Sequence, residues 1–147
     1  MIEPILVEIE VRASPDHAFD VWTSQASMWW PKSQSVSRDP DLNIVYEPSV
    51  GGRIYEEAPD GTEHNWGEVT MWEPPHRVSH TWHLFPDTAE ATEVTVTFDE
   101  VEIGTVVRLM HSGFDQLPAD DVFGARNRTK DVWLDMVAHF QGAFSRD

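Results

Sequence analysis

The stretch that decides the fold is residues 131–144, DVWLDMVAHFQGAF. Its large apolar side chains recur at helical spacing, and the positions i, i+4, i+7 and i+11 are held by Trp133, Val137, Phe140 and Phe144. Residues 118–121, PADD, precede it as a helix N-cap signature. The pattern predicts a long amphipathic helix over residues 121–144. A helix with so aromatic a face needs a sheet to cover it.

Alternation of apolar and polar residues predicts that sheet. Residues 4–12, PILVEIEVR, alternate as a half-buried strand. Ser14-Pro15 then begins a helix that ends near Thr23, and residues 25–30 form a second short helix. Six further strand-like segments follow between turn signals, and they are residues 43–48, 53–57, 63–72, 76–85, 92–100 and 105–111. The order predicts a single α+β domain over residues 1–147, with an antiparallel meander between the short helices and the long one.

Composition narrows the range of partners. The chain carries 26 acidic against 10 basic residues, a net charge of −16, so its surface repels nucleic acid and anionic lipid. There is no apolar run long enough to span a membrane and no signal peptide, so we expect a cytoplasmic protein that binds no membrane. Cysteine is absent, which excludes disulfides, thiolate metal sites and a cysteine nucleophile.

Polar residues share the apolar faces of two predicted strands. In residues 76–85 the alternation places His80 and Trp82 with apolar neighbours, and in residues 105–111 it does the same for His111. If the apolar face lies under the long helix, these three side chains point inward. Polar groups on an otherwise apolar concave surface are what a ligand cavity uses to orient its guest. Two alternatives stay open: a structural, hydrogen-bonded His111, and a one-residue register slip that turns His80 outward and His83 inward.

Metal and nucleophilic chemistry are not predicted. His80, His111 and Glu68 would make a two-histidine, one-carboxylate set, but the only histidine pair with HxH or HxxxH spacing on one element is His76 and His80. On a strand that pair is separated by about 13 Å. Ser112 adjoins His111 and therefore points to the opposite face, so the two do not form a catalytic pair. No cofactor, metal site or catalytic residue is predicted.

Short motifs along nearly the whole chain resemble one family in their order and spacing. They are VEIEVRASPDHAFDVWT (7–23), WWP (29–31), VGGRIYE (50–56), DGTEHNWGEV (60–69), WEPPHRVSHTW (72–82), TEVTVTF (92–98) and LMHSGF (109–114). The set resembles the family named after the activator of heat shock protein 90 ATPase, within the START-like (SRPBCC) superfamily. The resemblance implies a helix-grip fold, in which a curved antiparallel sheet of about seven strands wraps the C-terminal helix around a cavity. It implies no single activity.

These features favour binding of a small hydrophobic or aromatic molecule between the sheet and the helix, with His111 orienting a polar group of the ligand. The predicted lining residues are Trp30, Trp66, His80, Trp82, His111, Phe114, Trp133, Val137 and Phe140. One alternative is a co-chaperone-like interaction module with a chaperone partner. The other is a cyclase- or hydrolase-like enzyme that uses a cavity histidine, which we favour less than binding. Homodimerisation is a further expectation.

The tryptophan doublet in SMWWP, residues 27–31, needs two environments, because adjacent side chains cannot share one. We expect Trp29 to anchor the second short helix to the sheet edge. We expect Trp30 to lie at the mouth of the cavity.

Overall fold

The computed structural model of the protein describes residues 4–30, 39–82, 92–113 and 122–144, without the side chains of residues 122–128. The elements of the amino-terminal half are β1 (Ile5–Val11), α1 (Pro15–Trp22), α2 (Ala26–Trp29), β2 (Asn43–Tyr46) and β3 (Arg53–Glu57). Those of the carboxyl-terminal half are β4 (Glu63–Glu73), β5 (Arg77–Trp82), β6 (Thr92–Val101), β7 (Gly104–Ser112) and α3 (Val122–Gly142). The predicted order is therefore confirmed.

The seven strands form one antiparallel sheet in the order β1-β7-β6-β5-β4-β3-β2. From β2 onward each strand pairs with the next in sequence, and β1 closes the far edge against β7. The sheet curls, and α3 lies on its concave face, which confirms the helix-grip α+β architecture. Of the helices that the structure describes, none is long and apolar enough to cross a membrane.

The short helices begin and end where the local sequence predicts. Pro15 occupies the first helical position of α1, and the Ser14 hydroxyl oxygen accepts a hydrogen bond from the His17 backbone N–H at 3.3 Å. At the other end the Thr23 hydroxyl donates to the Phe19 carbonyl at 2.8 Å. These bonds fix α1 with its apolar face, which includes Phe19 and Trp22, against the sheet.

Helix α3 buries the predicted stripe. Trp133, Val137 and Phe140 are buried, Met136 joins them, and Phe144 packs against the same core while partly exposed. These side chains belong to one apolar core with residues of the sheet and of the short helices, among them Val94, Val96 and Phe98 of β6. The prediction of an amphipathic helix over this part of the chain is confirmed.

Strand β4 departs from simple alternation. Its register against β3 shifts so that Ile54 faces Gly67 and Tyr55 faces Asn65, which leaves Trp66 as the extra residue of a bulge. Trp66 and Gly67 are therefore both buried, and Glu68 points to solvent. Simple alternation of side chains would place Trp66 and Glu68 on one face, but alternation does not survive a bulge.

Candidate functional site

A cluster of indole rings fills the space between the concave face of the sheet and α3. Trp30 lies at its centre, with its ring centroid 5.0 Å from that of Trp66, 5.9 Å from Trp82 and 6.1 Å from Trp133. Trp82 is 5.5 Å from Trp133 and 5.6 Å from Trp66, so each of the four rings contacts at least two of the others in a closed group. Four of the predicted lining residues are therefore brought together.

The tryptophan doublet is divided differently from our expectation. The Trp29 indole N–H donates to the Val21 carbonyl at 2.8 Å, and its ring packs 5.2 Å from Phe140. Trp29 is thus an anchor that ties α2 to α1 and α3. Trp30 is only 2% exposed, so the prediction that it lies at an opening is wrong. Its neighbours on three elements enclose it.

The two predicted histidines lie in one cross-strand row. His80 on β5 pairs with Val94 on β6, and Val94 pairs with His111 on β7. The row continues to Val69 on β4 and to Ile5 on β1. All five residues are buried. The inward orientation predicted for His80 and His111 is confirmed, and the register slip that would turn His80 outward does not occur.

His111 has both ring nitrogens engaged. The Trp133 indole N–H donates to Nδ1 at 2.8 Å, so Nε2 carries the ring proton and faces the Thr92 hydroxyl oxygen at 2.5 Å. That hydroxyl in turn donates to the Trp82 carbonyl at 3.0 Å. Burial, reinforced by the nearby His80, lowers the pKa of His111 to about 3. This chain of hydrogen bonds joins α3 to β7, β6 and β5 through the neutral imidazole of His111. His111 therefore has a structural, hydrogen-bonded role, which was one of the two alternatives for it.

His80 is held through one nitrogen only. Its Nδ1 lies 2.9 Å from the Thr81 carbonyl, which can only accept, so Nδ1 carries the ring proton. Burial lowers the pKa of His80 to about 4, although the bond to Thr81 opposes this shift. The imidazole is therefore neutral at pH 7 and presents the lone pair of Nε2 to the interior. That atom is fully buried and makes no hydrogen bond.

Two further polar groups of the interior were missed from the sequence as site residues. The Tyr46 hydroxyl on β2 and the Trp22 indole N–H on α1 are buried and make no hydrogen bond. The Tyr46 ring stands edge-on to His80, with centroids 5.7 Å apart. Burial raises the pKa of Tyr46 well above its ordinary value. A strand of only four residues, NIVY, carries too short an alternation to reveal that Tyr46 points inward.

A buried carboxylate was also missed. Glu56 on β3 is fully buried, and its Oε1 accepts a hydrogen bond from the Trp66 indole N–H at 2.8 Å. The signal was present, because Glu56 shares its strand face with the buried Ile54. Its place beside the indole cluster adds an acidic group to a mostly apolar interior.

The remaining predicted site residues are distributed as follows. Val137 and Phe140 lie on the buried face of α3, and Phe114 lies outside the described residues, as do His83 and Pro31. Glu68 points away from both histidines, so the two-histidine, one-carboxylate set is not assembled. Within residues 4–30, 39–82, 92–113 and 129–144, no three metal-binding side chains come together.

This fold, a curled sheet gripping an aromatic helix around enclosed polar groups, defines a protein of the START-like class. The family model described as "Activator of Hsp90 ATPase homolog 1-like protein" matches residues 12–144, and the chain belongs to that family. The comparison with curated proteins finds no match.

Solved structures agree with this assignment. An anthrahydroquino-γ-pyrone synthase, Txn09, is 32% identical, with 96% of each chain covered and a TM-score of 0.65. Protein MLL2253 from Mesorhizobium loti is 23% identical over 95% of each chain, with a TM-score of 0.69. The Aha1 dimer from Colwellia psychrerythraea is 20% identical, covers 97% of this chain and 96% of its own, and has a TM-score of 0.67. The last two show the fold alone.

Proposed function

We propose that the protein binds a small, flat, largely apolar organic molecule between the concave face of the sheet and α3. The observation that carries the proposal is the closed group of Trp30, Trp66, Trp82 and Trp133, in which the centroids of contacting rings are 5.0 to 6.1 Å apart. Indole rings at these spacings offer flat apolar faces at the separation that aromatic pairs prefer. A planar aromatic ligand could take the place of one indole–indole contact and form ring contacts of the same kind with the remaining indoles.

The polar groups around the indoles support selective binding rather than simple core filling. A purely structural core of this size gains little from a buried carboxylate, yet Glu56 adjoins Trp66. Neutral His80 adds an acceptor on the same side of the sheet. Few and well-placed polar groups within an apolar surround are typical of small-molecule sites. The name of the 32% identical relative, a synthase of an anthrahydroquinone-pyrone, adds support for a fused-ring guest.

Calorimetric titration tests the proposal. The probes are β-naphthol and alizarin as flat arenes, and palmitate as an acyl chain without a flat face. We expect the arenes to bind and palmitate to bind at least about tenfold more weakly, since only a flat ring gains the aromatic contacts. If neither arene binds the wild-type protein, the proposal is wrong.

A pair of matched variants locates the site. Trp82→Leu removes a ring of the cluster, whereas Trp72→Leu removes another half-buried ring that packs on Phe19, 5.1 Å away, outside the cluster. We expect the first variant to weaken arene binding about tenfold, and the second to leave it within about twofold. Equal losses in both variants would place the ligand elsewhere.

Catalysis on the same class of molecule is the second candidate. The observation in its favour is the synthase function named for the 32% identical relative. Here His80 is the group to test, because its unprotonated Nε2 can accept a proton from a bound molecule. Time-resolved mass spectrometry of protein with hydroxylated polyketide-type arenes would show a product whose formation is lost in His80→Phe. A bound but unchanged molecule would leave binding as the function.

Two interaction hypotheses are tested separately. The Colwellia relative was solved as a dimer, and light scattering of this chain shows whether it forms one too. The co-chaperone alternative predicts stimulation of the chaperone's ATPase rate by added protein. An unchanged rate would discard it.

A further inference from the structure

Three polar atoms in the part of the chain that the structure describes are buried without a hydrogen-bond partner: Trp22 Nε1, Tyr46 Oη and His80 Nε2. Their side chains are 0%, 6% and 0% exposed. Native proteins rarely leave such atoms unpaired, because each one loses its hydrogen bonds to water on burial. Three of them among neighbouring side chains require a common explanation.

Tyr46 is the neighbour that the other two share. Its ring lies 5.7 Å from that of His80, at an interplanar angle of 81°. The Trp22 indole N–H is near enough to the Tyr46 hydroxyl to counteract, in small part, the burial that raises the pKa of Tyr46. Their mutual geometry nevertheless does not meet that of a hydrogen bond. The three side chains therefore surround one polar spot on the concave side of the sheet.

The chemistry of the three atoms specifies what fits there. An indole N–H can only donate, and His80 Nε2 can only accept, because the ring proton is on Nδ1 beside the Thr81 carbonyl. The Tyr46 hydroxyl can do either. A group that satisfies the first two must accept one hydrogen bond and donate another. A carbonyl or ether oxygen cannot donate a hydrogen bond, and an ammonium group cannot accept one. A carboxylate would bring a negative charge into the interior, and none of Trp22, Tyr46 and His80 carries a positive charge to pair with it.

The surroundings specify the rest of the guest. Trp22 lies against the rings of Trp29 and Phe140, each with its centroid 4.9 Å away. It also stacks at 18° and 6.4 Å on Trp133, which belongs to the indole cluster. A hydroxyl placed at the polar spot would therefore be attached to an apolar, preferably flat, body.

We propose that Trp22, Tyr46 and His80 form a hydroxyl-recognition site for a neutral hydroxyarene, such as a phenol or naphthol. The ligand hydroxyl donates to His80 Nε2 and accepts from Trp22, while Tyr46 supplies a third bond. This inference rests on the proposed binding of flat apolar molecules and adds the polar group by which such a molecule is selected.

Calorimetry with β-naphthol, its methyl ether and naphthalene tests the site. The three probes share one flat body, and only β-naphthol both donates and accepts. We expect β-naphthol to bind about tenfold more tightly than the ether, the gain typical of an additional buried hydrogen bond. Equal affinities for β-naphthol and the ether overturn the hydroxyl site while leaving flat-arene binding in place. Failure of all three probes to bind overturns both proposals.

An isosteric variant identifies the residues. Tyr46→Phe removes one hydroxyl and keeps the ring, so it should lower β-naphthol affinity about fivefold and leave the affinity for the ether unchanged. The control is Tyr55→Phe at the second of the chain's two tyrosines, which lies on the other face of the sheet beneath Arg53. A loss in the control equal to that in Tyr46→Phe overturns the assignment.

Nuclear magnetic resonance of the histidine ring nitrogens provides a test that needs no variant. In the wild-type protein the His80 Nε2 resonance should move when β-naphthol is added, because the lone pair gains a hydrogen bond. The ether cannot donate to Nε2 and should move that resonance far less than β-naphthol does. Both probes should change the His111 resonances only by the small amount that a nearby aromatic ring causes. A His80 resonance that does not respond to bound β-naphthol overturns the role of His80.

Discussion

His80 and His111 lie one strand apart on either side of Val94, and they carry their ring protons on opposite nitrogens. His80 is protonated at Nδ1, and His111 at Nε2. The Thr81 carbonyl can only accept, so it fixes the proton of His80 on Nδ1. The Trp133 indole N–H can only donate, so it leaves Nδ1 of His111 unprotonated and fixes the proton on Nε2. Both ring nitrogens of His111 are thereby engaged, whereas His80 keeps Nε2 as a hydrogen-bond acceptor directed into the interior.

This pair predicts a loss of stability in acid. Both side chains are neutral when folded, with pKa values lowered from 6.5 to about 4 and about 3, so the unfolded chain binds more protons below pH 6.5. Their contribution is complete above about pH 6.5 and is lost as the pH falls through that value toward the folded pKa values. Each histidine should remove about 2 kcal/mol of unfolding free energy by pH 5.

Urea unfolding at pH 7 and pH 5 measures this dependence. In His80→Phe the difference between the two pH values should shrink by about 2 kcal/mol, whatever the stability at pH 7. His17→Gln, at an exposed histidine, is the control and should keep the wild-type difference. An unchanged difference in His80→Phe would contradict a neutral, buried imidazole.

The hydroxyl of Thr92 predicts a second effect on stability. It bridges His111 Nε2 and the Trp82 carbonyl, so Thr92→Val leaves a buried donor and a buried acceptor without this partner. We expect a loss of about 1–3 kcal/mol in the free energy of unfolding. Thr97→Val makes the same substitution on the other face of the same strand and should change stability by less than about 0.5 kcal/mol. Comparable losses at both positions would show that the bridge adds nothing.

The bulged strand predicts the third effect. A Cβ added at Gly67 would lie 1.9 Å from the Thr81 carbonyl oxygen, so Gly67→Ala must push β4 and β5 apart. We expect a loss of about 1–3 kcal/mol, measured by thermal unfolding. Gly142→Ala, where nothing lies within 4 Å, should be neutral or stabilise α3 by up to about 1 kcal/mol. A Gly67→Ala protein as stable as wild type would contradict the close approach of the two strands.

Most of the architecture could be predicted because it follows from two periodicities. The aromatic stripe of residues 133–144 specifies a helix with one buried face, and the alternation in β6 and β7 specifies which side chains meet it. Orientation of His80 and His111 follows from the same rule. These inferences need only local spacing, and the cross-strand register agrees with them.

Features that depend on the register between strands could not be predicted. The bulge at Trp66 shifts every later residue of β4 relative to β3, so the faces of Trp66 and Glu68 could not be read from alternation. Burial of Trp30 results from three elements closing over it. The hydrogen-bond chain through His111 joins residues 92, 111 and 133, and no sequence pattern indicates which polar atoms such a chain satisfies.

The proximity of the tryptophans also determines how the protein emits light. Trp22, Trp29, Trp30, Trp66, Trp82 and Trp133 each lie within 6.4 Å of another indole in one continuous group. Excitation absorbed by any of these rings will migrate among the others before emission, which depolarises the fluorescence and makes it collective. A molecule that quenches one of these six rings should therefore darken the whole group, so the six report together rather than one by one.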